Sequence, residues 1–151
     1  MSAKFSIQDK TAPLHGIFMM RVIDREGKVI REYSDHNMIV NTAREALAKL
    51  VSEGDQSKRI TRFAVGTSDE TPTPTDTVIT GMYRNEIIGH TFPEPGVVTF
   101  KWQLGYEEAN GMNIVEYGLL CEDDSLFARK TREAIYKAND IAFDGEWTVI
   151  F

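Results

Sequence analysis

Apolar positions along this chain follow two rhythms. In "VVTFKWQLGY", residues 97–106, Phe100, Trp102 and Leu104 alternate with Thr99, Lys101 and Gln103, so a strand here packs one face and wets the other. "NTAREALAKLVSEG" keeps the second rhythm: Ala43, Ala46, Leu47, Leu50 and Val51 recur at three- and four-residue spacing and share one face of a helix. Asn41 or Thr42 is placed to cap its start, Thr42 and Glu45 have capping-box spacing, and Gly54 supplies a left-handed stop.

The remaining apolar runs are short and bounded by turn residues, which is the signature of strands. "GIFMMRVIDREGKVIREYSD" predicts a hairpin around Asp24, Arg25, Glu26 and Gly27. "ITRFAVG" and "MYRNEIIGHTF" each read as one strand, and Pro95-Gly96 turns the chain into the alternating strand already described. "NIVEYGLL" and "SLFARKT" flank the acidic turn Glu122, Asp123, Asp124, Ser125, and "EWTVIF" closes the chain with Trp147, Val149 and Phe151 on one side. The pattern predicts a mainly β domain with one α-helix, a β-sandwich or open barrel (jelly-roll-like) of about seven or eight strands. Residues 1–14 read as a flexible polar N-terminal arm and residues 15–151 as a single β-rich domain.

Charge and cysteine content narrow the function classes. The 23 acidic against 17 basic residues give a formal charge of -6, which disfavours a nucleic-acid backbone or an anionic membrane as the partner. A single cysteine, Cys121, follows the apolar run Tyr117 to Leu120 and reads as a buried, inert thiol; no disulfide can form within the chain. No stretch approaches the ~18 apolar residues of a membrane span, and the start of the chain lacks a signal-peptide core, so synthesis and folding in a cytoplasm are expected.

Templates for catalysis do not fit. His15, His36 and His90 lie in separate segments without ligand spacing, so no metal or other cofactor is expected. "VGTSDET" lacks the Gly-Lys-Ser/Thr ending of a phosphate loop, and Asp69, Glu70 and Asp76 lack the alternation of a calcium loop. Glu116 sits inside an apolar run, where an outward position on an alternating strand explains it. No nucleophile motif is present, and the expectation is a protein that is not an enzyme.

The feature left over is the loop at 67–77. Thr67, Ser68, Asp69, Glu70, Thr71, Pro72, Thr73, Pro74, Thr75 and Asp76 form an extended polar stretch, and each proline removes a backbone donor and stiffens the residue before it. A segment longer than a connector needs to be tends to be functional, so these ten residues are the candidate partner-binding site, an arm reaching a neighbouring subunit.

The order of motifs then becomes informative. "HNMIVNTAREALAKL", "ITRFAVGTSDETPTPTDTVI", an Arg84 segment, "EANGMNIVEYGLL", "LFARK" and the closing "GEWTVIF" together resemble a group of tailed-bacteriophage virion proteins that includes tail-collar and tail-fibre attachment domains. The resemblance implies a structural virion component without catalytic residues. It implies a homo-oligomer, a trimer being one suitable form, that contacts other phage virion proteins of the tail, collar or baseplate. A decoration (cement) protein on the phage head is the alternative place for the same domain. A carbohydrate-binding β module is a further alternative, in which exposed Trp102 or Tyr106 would stack on a sugar.

Overall fold

The structure is a computed structural model that describes residues 14–151, so the expected N-terminal arm, Leu14 excepted, lies outside the described residues. In chain order the elements are β1 (His15–Asp24), β2 (Val29–Ile39), α1 (Asn41–Glu53), β3 (Ile60–Gly66), β4 (Tyr83–Glu86), β5 (Gly89–Glu94), β6 (Val97–Leu104), β7 (Asn113–Cys121), β8 (Leu126–Tyr136) and β9 (Ile141–Ile150). The strands form one curled antiparallel sheet, ordered β4-β3-β7-β8-β2-β1-β9-β6-β5, with the shape of a half-barrel.

There are nine strands among the described residues rather than the seven or eight expected. The surplus comes from "MYRNEIIGHTF", which is two strands. Its first half, β4, pairs with β3 at one edge of the sheet, and its second half, β5, pairs with β6 at the other. At the link, the Ile87 amide donates to the Thr61 carbonyl over 2.8 Å and the Ile88 amide to the Lys101 carbonyl over 2.9 Å. The chain thus crosses from edge to edge without a turn residue between Glu86 and Ile88, which is why the sequence pattern shows no break.

A second corner lies in β2, which pairs with β1 along most of its length but with β8 through Met38 and Ile39 alone. These two corners bring the halves of the sheet face to face, as bent strands do where sheets change direction. Between them sits an aromatic cluster. Phe18 of β1 lies 5.0 Å from the Trp147 ring, edge-on, and 4.9 Å from Tyr117 of β7, while Trp102 of β6 lies 4.6 Å from Phe63 of β3. Trp102 pairs in register with Gly145, and a side chain there would collide with the indole and with the Met19 carbonyl. Glycine is what lets the indole lie flat across β9.

The helix agrees with its pattern in part. Ala43 and Ala46 are buried, but Val51 is 85% exposed, since it falls at the margin of the apolar stripe, beside Arg44 on the helix surface. Gly54 takes the left-handed stop, with φ 64° and its amide donating to the Leu50 carbonyl. The start is not capped by Asn41 or Thr42. Val40 holds the cap position without a side-chain bond, the Thr42 hydroxyl donates to the Leu126 carbonyl instead, and the Asn41 amide donates to Pro74 O over 2.8 Å. A helix amide that usually goes to a capping side chain is here satisfied by the Pro/Thr loop.

Candidate functional site

The loop between β3 and β4 is held to the body of the domain along its length. It leaves β3 at Gly66, and the Thr67 amide donates to Thr80 O over 3.0 Å, closing the base of the loop. Glu116 of β7 reaches into this base: its Oε1 accepts from the Ser68 amide (3.1 Å) and the Thr80 amide (2.7 Å). Its Oε2 accepts from Arg129 Nε of β8 over 2.8 Å. The same guanidinium donates through Nη1 to Asp76 Oδ2 (2.9 Å) and to Glu70 O (3.0 Å), and through Nη2 to Ser68 O (3.4 Å).

Asp76 in turn organises the far end. Its carboxylate accepts from the Thr73 amide and the Thr73 hydroxyl, each over 2.9 Å, and its own amide donates to Thr73 O. Thr73 to Asp76 is therefore a turn with Pro74 at its second position, where the fixed φ of proline suits it. Beneath the turn, Ile79 is 7% exposed and packs with Val40, Ala64, Leu120 and Leu126. It fits because Gly66 and Gly118 face it; a Cβ on Gly118 would stand 2.8 Å from the Ile79 side chain.

Glu116 is thus a correction to the sequence reading. Alternation does place it on the outer face of β7, but that face is covered by the loop, and Glu116 is completely buried. Arg129, 3% exposed, was not singled out from sequence at all. The available signal was an arginine closing the apolar triplet Leu126-Phe127-Ala128 and an acid closing Ile114-Val115, two buried-strand positions that need each other. The strand register confirms the match, since Arg129 pairs with Gly118, two residues from Glu116 on the same face.

Electrostatics follow the geometry. Burial opposes ionisation of Asp76, yet the Thr73 amide and hydroxyl and the Arg129 guanidinium outweigh it and hold the carboxyl below its ordinary value. Burial likewise works against the charge on Arg129, and its two carboxylate partners, Glu116 and Asp76, more than restore it. A polar cavity of ≈ 210 Å³ opens beside the clamp, walled in part by Ser68, Thr75, Asp76 and Thr80. Because the guanidinium donors are engaged by four loop and strand oxygens, the arrangement fastens the loop rather than presenting a free charge.

The ten predicted site residues are brought together on one surface, although not as a reaching arm. Thr67, Asp69, Glu70, Thr71, Thr73, Pro74 and Thr75 are exposed, while Ser68, Pro72 and Asp76 are half-buried against the domain. The backbone is fixed and the side chains of the first group face solvent, which makes a platform.

Other candidates separate clearly. Cys121 is buried, and burial pushes its thiol up, away from reactivity. Pairing of β1 with β2 brings the His15 and His36 rings to 6.4 Å, but no group of three or more His, Cys, Asp or Glu able to hold a metal ion forms among the described residues. Trp102 is 1% exposed and cannot stack on a sugar, and the Tyr106 ring is covered by the Arg25 guanidinium at 4.7 Å. Lys137 is fully buried, its ammonium donating to Tyr106 O, Asn110 Oδ1 and Ala138 O, so it staples the 105–112 turn. No helix among the described residues is long and apolar enough to cross a membrane. Comparison with protein-family models, with curated proteins and with solved structures finds no match to this chain.

Proposed function

We propose that this protein is a non-catalytic structural component of a tailed-bacteriophage virion, a homo-oligomer of the tail, collar or baseplate that grips neighbouring virion proteins through the Thr67–Asp76 platform. The observation that carries the reading is the Glu116–Arg129 clamp. A buried ion pair fixes a surface loop whose outward side chains make few bonds to their own domain. Ordering that loop within the monomer lowers the entropy lost when a partner docks on it. The order of motifs from His36 to Phe151, which resembles tail-collar and tail-fibre attachment domains, supplies the virion class.

The sugar-binding alternative loses support, since Trp102 is buried and the Arg25 guanidinium already occupies one face of the half-buried Tyr106 ring. The test is immunogold electron microscopy of purified particles from the source, with an antibody raised against this domain. Label on the tail, collar or baseplate is the expected result. Label over the head would transfer the platform to a decoration role, and unlabelled particles would refute a virion role altogether.

A further inference from the structure

Lys137, the first residue after β8, is completely buried, yet its ammonium donates only to uncharged oxygens. Tyr106 O accepts over 3.2 Å, Asn110 Oδ1 over 2.9 Å and Ala138 O over 3.1 Å. A buried lysine hydrogen-bonded to no carboxylate is biased toward the neutral amine. Burial does hold this group below its ordinary value, and the charges of Glu107, Glu108 and Asp140 offset that only in part. A desolvated amine of this kind is a nucleophile.

The Asn110 carboxamide is held against it. Two backbone bonds set the approach: Gly111 N donates to Lys137 O and Lys137 N donates to Met112 O, each over 2.8 Å. Ala109 at φ 54° and Gly111 at φ 90° bend the chain around Asn110. Asn110 Nδ2 donates over 3.0 Å to Tyr106 O, the same oxygen that accepts from Lys137 Nζ. Two nitrogens, one on each side chain, thus share one acceptor. The Gly111 amide nitrogen, the ordinary competitor for an asparagine side chain, is spent on Lys137 O.

We propose that Lys137 and Asn110 join in an intramolecular isopeptide bond. The neutral amine keeps two donors for Tyr106 O and Ala138 O and turns its lone pair on Asn110 Cγ. The Nζ–Cγ bond forms, the Cγ–Nδ2 bond breaks, and one proton passes from Nζ to the departing nitrogen, which leaves as ammonia. The step is redox-neutral and takes no co-reactant. Asn110 lies at the surface, so the ammonia departs into solvent. Hydrogen-bond contact replaces a bimolecular encounter, and effective molarities for groups so placed reach about 10⁵–10⁸ M. The product ties the 105–112 turn covalently to the end of β8. The inference is independent of the platform and of any place in a virion.

Intact-mass spectrometry of the full chain tests it, on fresh protein and after days at mildly alkaline pH. The chain is expected to be about 17 Da lighter than its sequence requires, the loss of one ammonia to the lysine nucleophile. A protease digest should then contain a branched peptide joining the Asn110 and Lys137 segments. Asn110→Ala and Lys137→Arg should each keep the full mass. The mass of the natural chain is the first readout, so the test stands even if Lys137→Arg fails to fold. A natural chain still at full mass after incubation would overturn the proposal. So would conversion of Asn110 to aspartate without a branched peptide. A lighter chain that hydroxylamine cleaves after Asn110 would overturn it too, since that marks a succinimide made by the Gly111 nitrogen, whereas an isopeptide bond resists hydroxylamine.

Discussion

Arg129 donates its Nε–H to Glu116 across 2.8 Å on the outer face of the β7–β8 pair, and the two side chains are 4% and 1% exposed. Such a pair is expensive to desolvate, and its worth depends on every remaining donor and acceptor finding a partner. Here most of them do, and the partners are backbone groups of Ser68, Glu70 and Thr80 together with Asp76. The ion pair therefore couples the sheet to one particular loop conformation.

Arg129→Met should destabilise the domain by about 3–5 kcal/mol, because it leaves the Glu116 charge buried without its partner. Urea unfolding measures this directly. The Glu116→Leu/Arg129→Met double variant should lose less than the sum of the two single variants, as coupled residues do. Strict additivity would show that the two side chains act independently.

How much of this was legible beforehand depended on whether a signal was local. The alternation at Phe100, Trp102 and Leu104, the turn at Asp24–Gly27 and the stop at Gly54 are local and are found where the pattern put them. The division of β4 from β5 is not local. Ile87 and Ile88 look like any strand residues, and their bonds to Thr61 and Lys101 exist because the sheet curls. Burial of Glu116 is invisible for the same reason, since its cover comes from a loop nearly forty residues earlier in the chain. The ten-residue loop stands out by composition, but its anchoring depends on Gly66 and Gly118 leaving room for Ile79.

Stability should be level from neutral pH to about pH 4 and fall from there toward pH 2. Burial alone would raise the Asp123 carboxyl, but the Lys58 ammonium and the Ser125 hydroxyl and amide hold it down to about 2. Asp76 and Glu108 are also lowered: burial opposes both, and Thr73 with Arg129, and Gly105 with Asn85, outweigh it. A carboxyl depressed in the folded state stabilises above its unfolded value and loses that contribution as pH falls through its folded value. With partial exposure discounted, Asp123 contributes on the order of 1 kcal/mol. Asp123→Asn keeps an acceptor for Ser125 and removes the charge, so thermal melts should show less acid sensitivity in this variant.

The core contains two contrasting aromatic positions. Trp147 is fully buried, and its indole N–H donates to Asn37 Oδ1 over 3.0 Å, so Trp147→Ala should cost about 3–5 kcal/mol. The Tyr117 hydroxyl is buried with no hydrogen-bond partner among the described residues, and burial pushes its ionisation far up. Removing an unsatisfied hydroxyl relieves its desolvation, so Tyr117→Phe should be neutral or stabilising by up to about 1 kcal/mol. A loss of stability in Tyr117→Phe would mean that the hydroxyl has a partner after all.

The platform reading makes its own demand on the surface. Asp69 and Thr71 are exposed, and neither side chain bonds to the described domain, whereas Asp76 and the Glu70 carbonyl are held by Arg129. Asp69→Lys/Thr71→Lys should therefore leave the melting temperature within about 1–2 °C of the natural protein, as surface changes away from such contacts do. The same variant should fail to assemble, as read by analytical ultracentrifugation and by incorporation into particles, because two added ammonium groups must be desolvated wherever a partner covers this surface. Deleting 69–76 would be a poorer experiment, since it strips Arg129 of Asp76 and Glu70 and the Asn41 amide of Pro74 and would confuse folding with assembly. A doubly lysine-substituted protein that melts normally and still assembles would place the contact surface elsewhere on the domain.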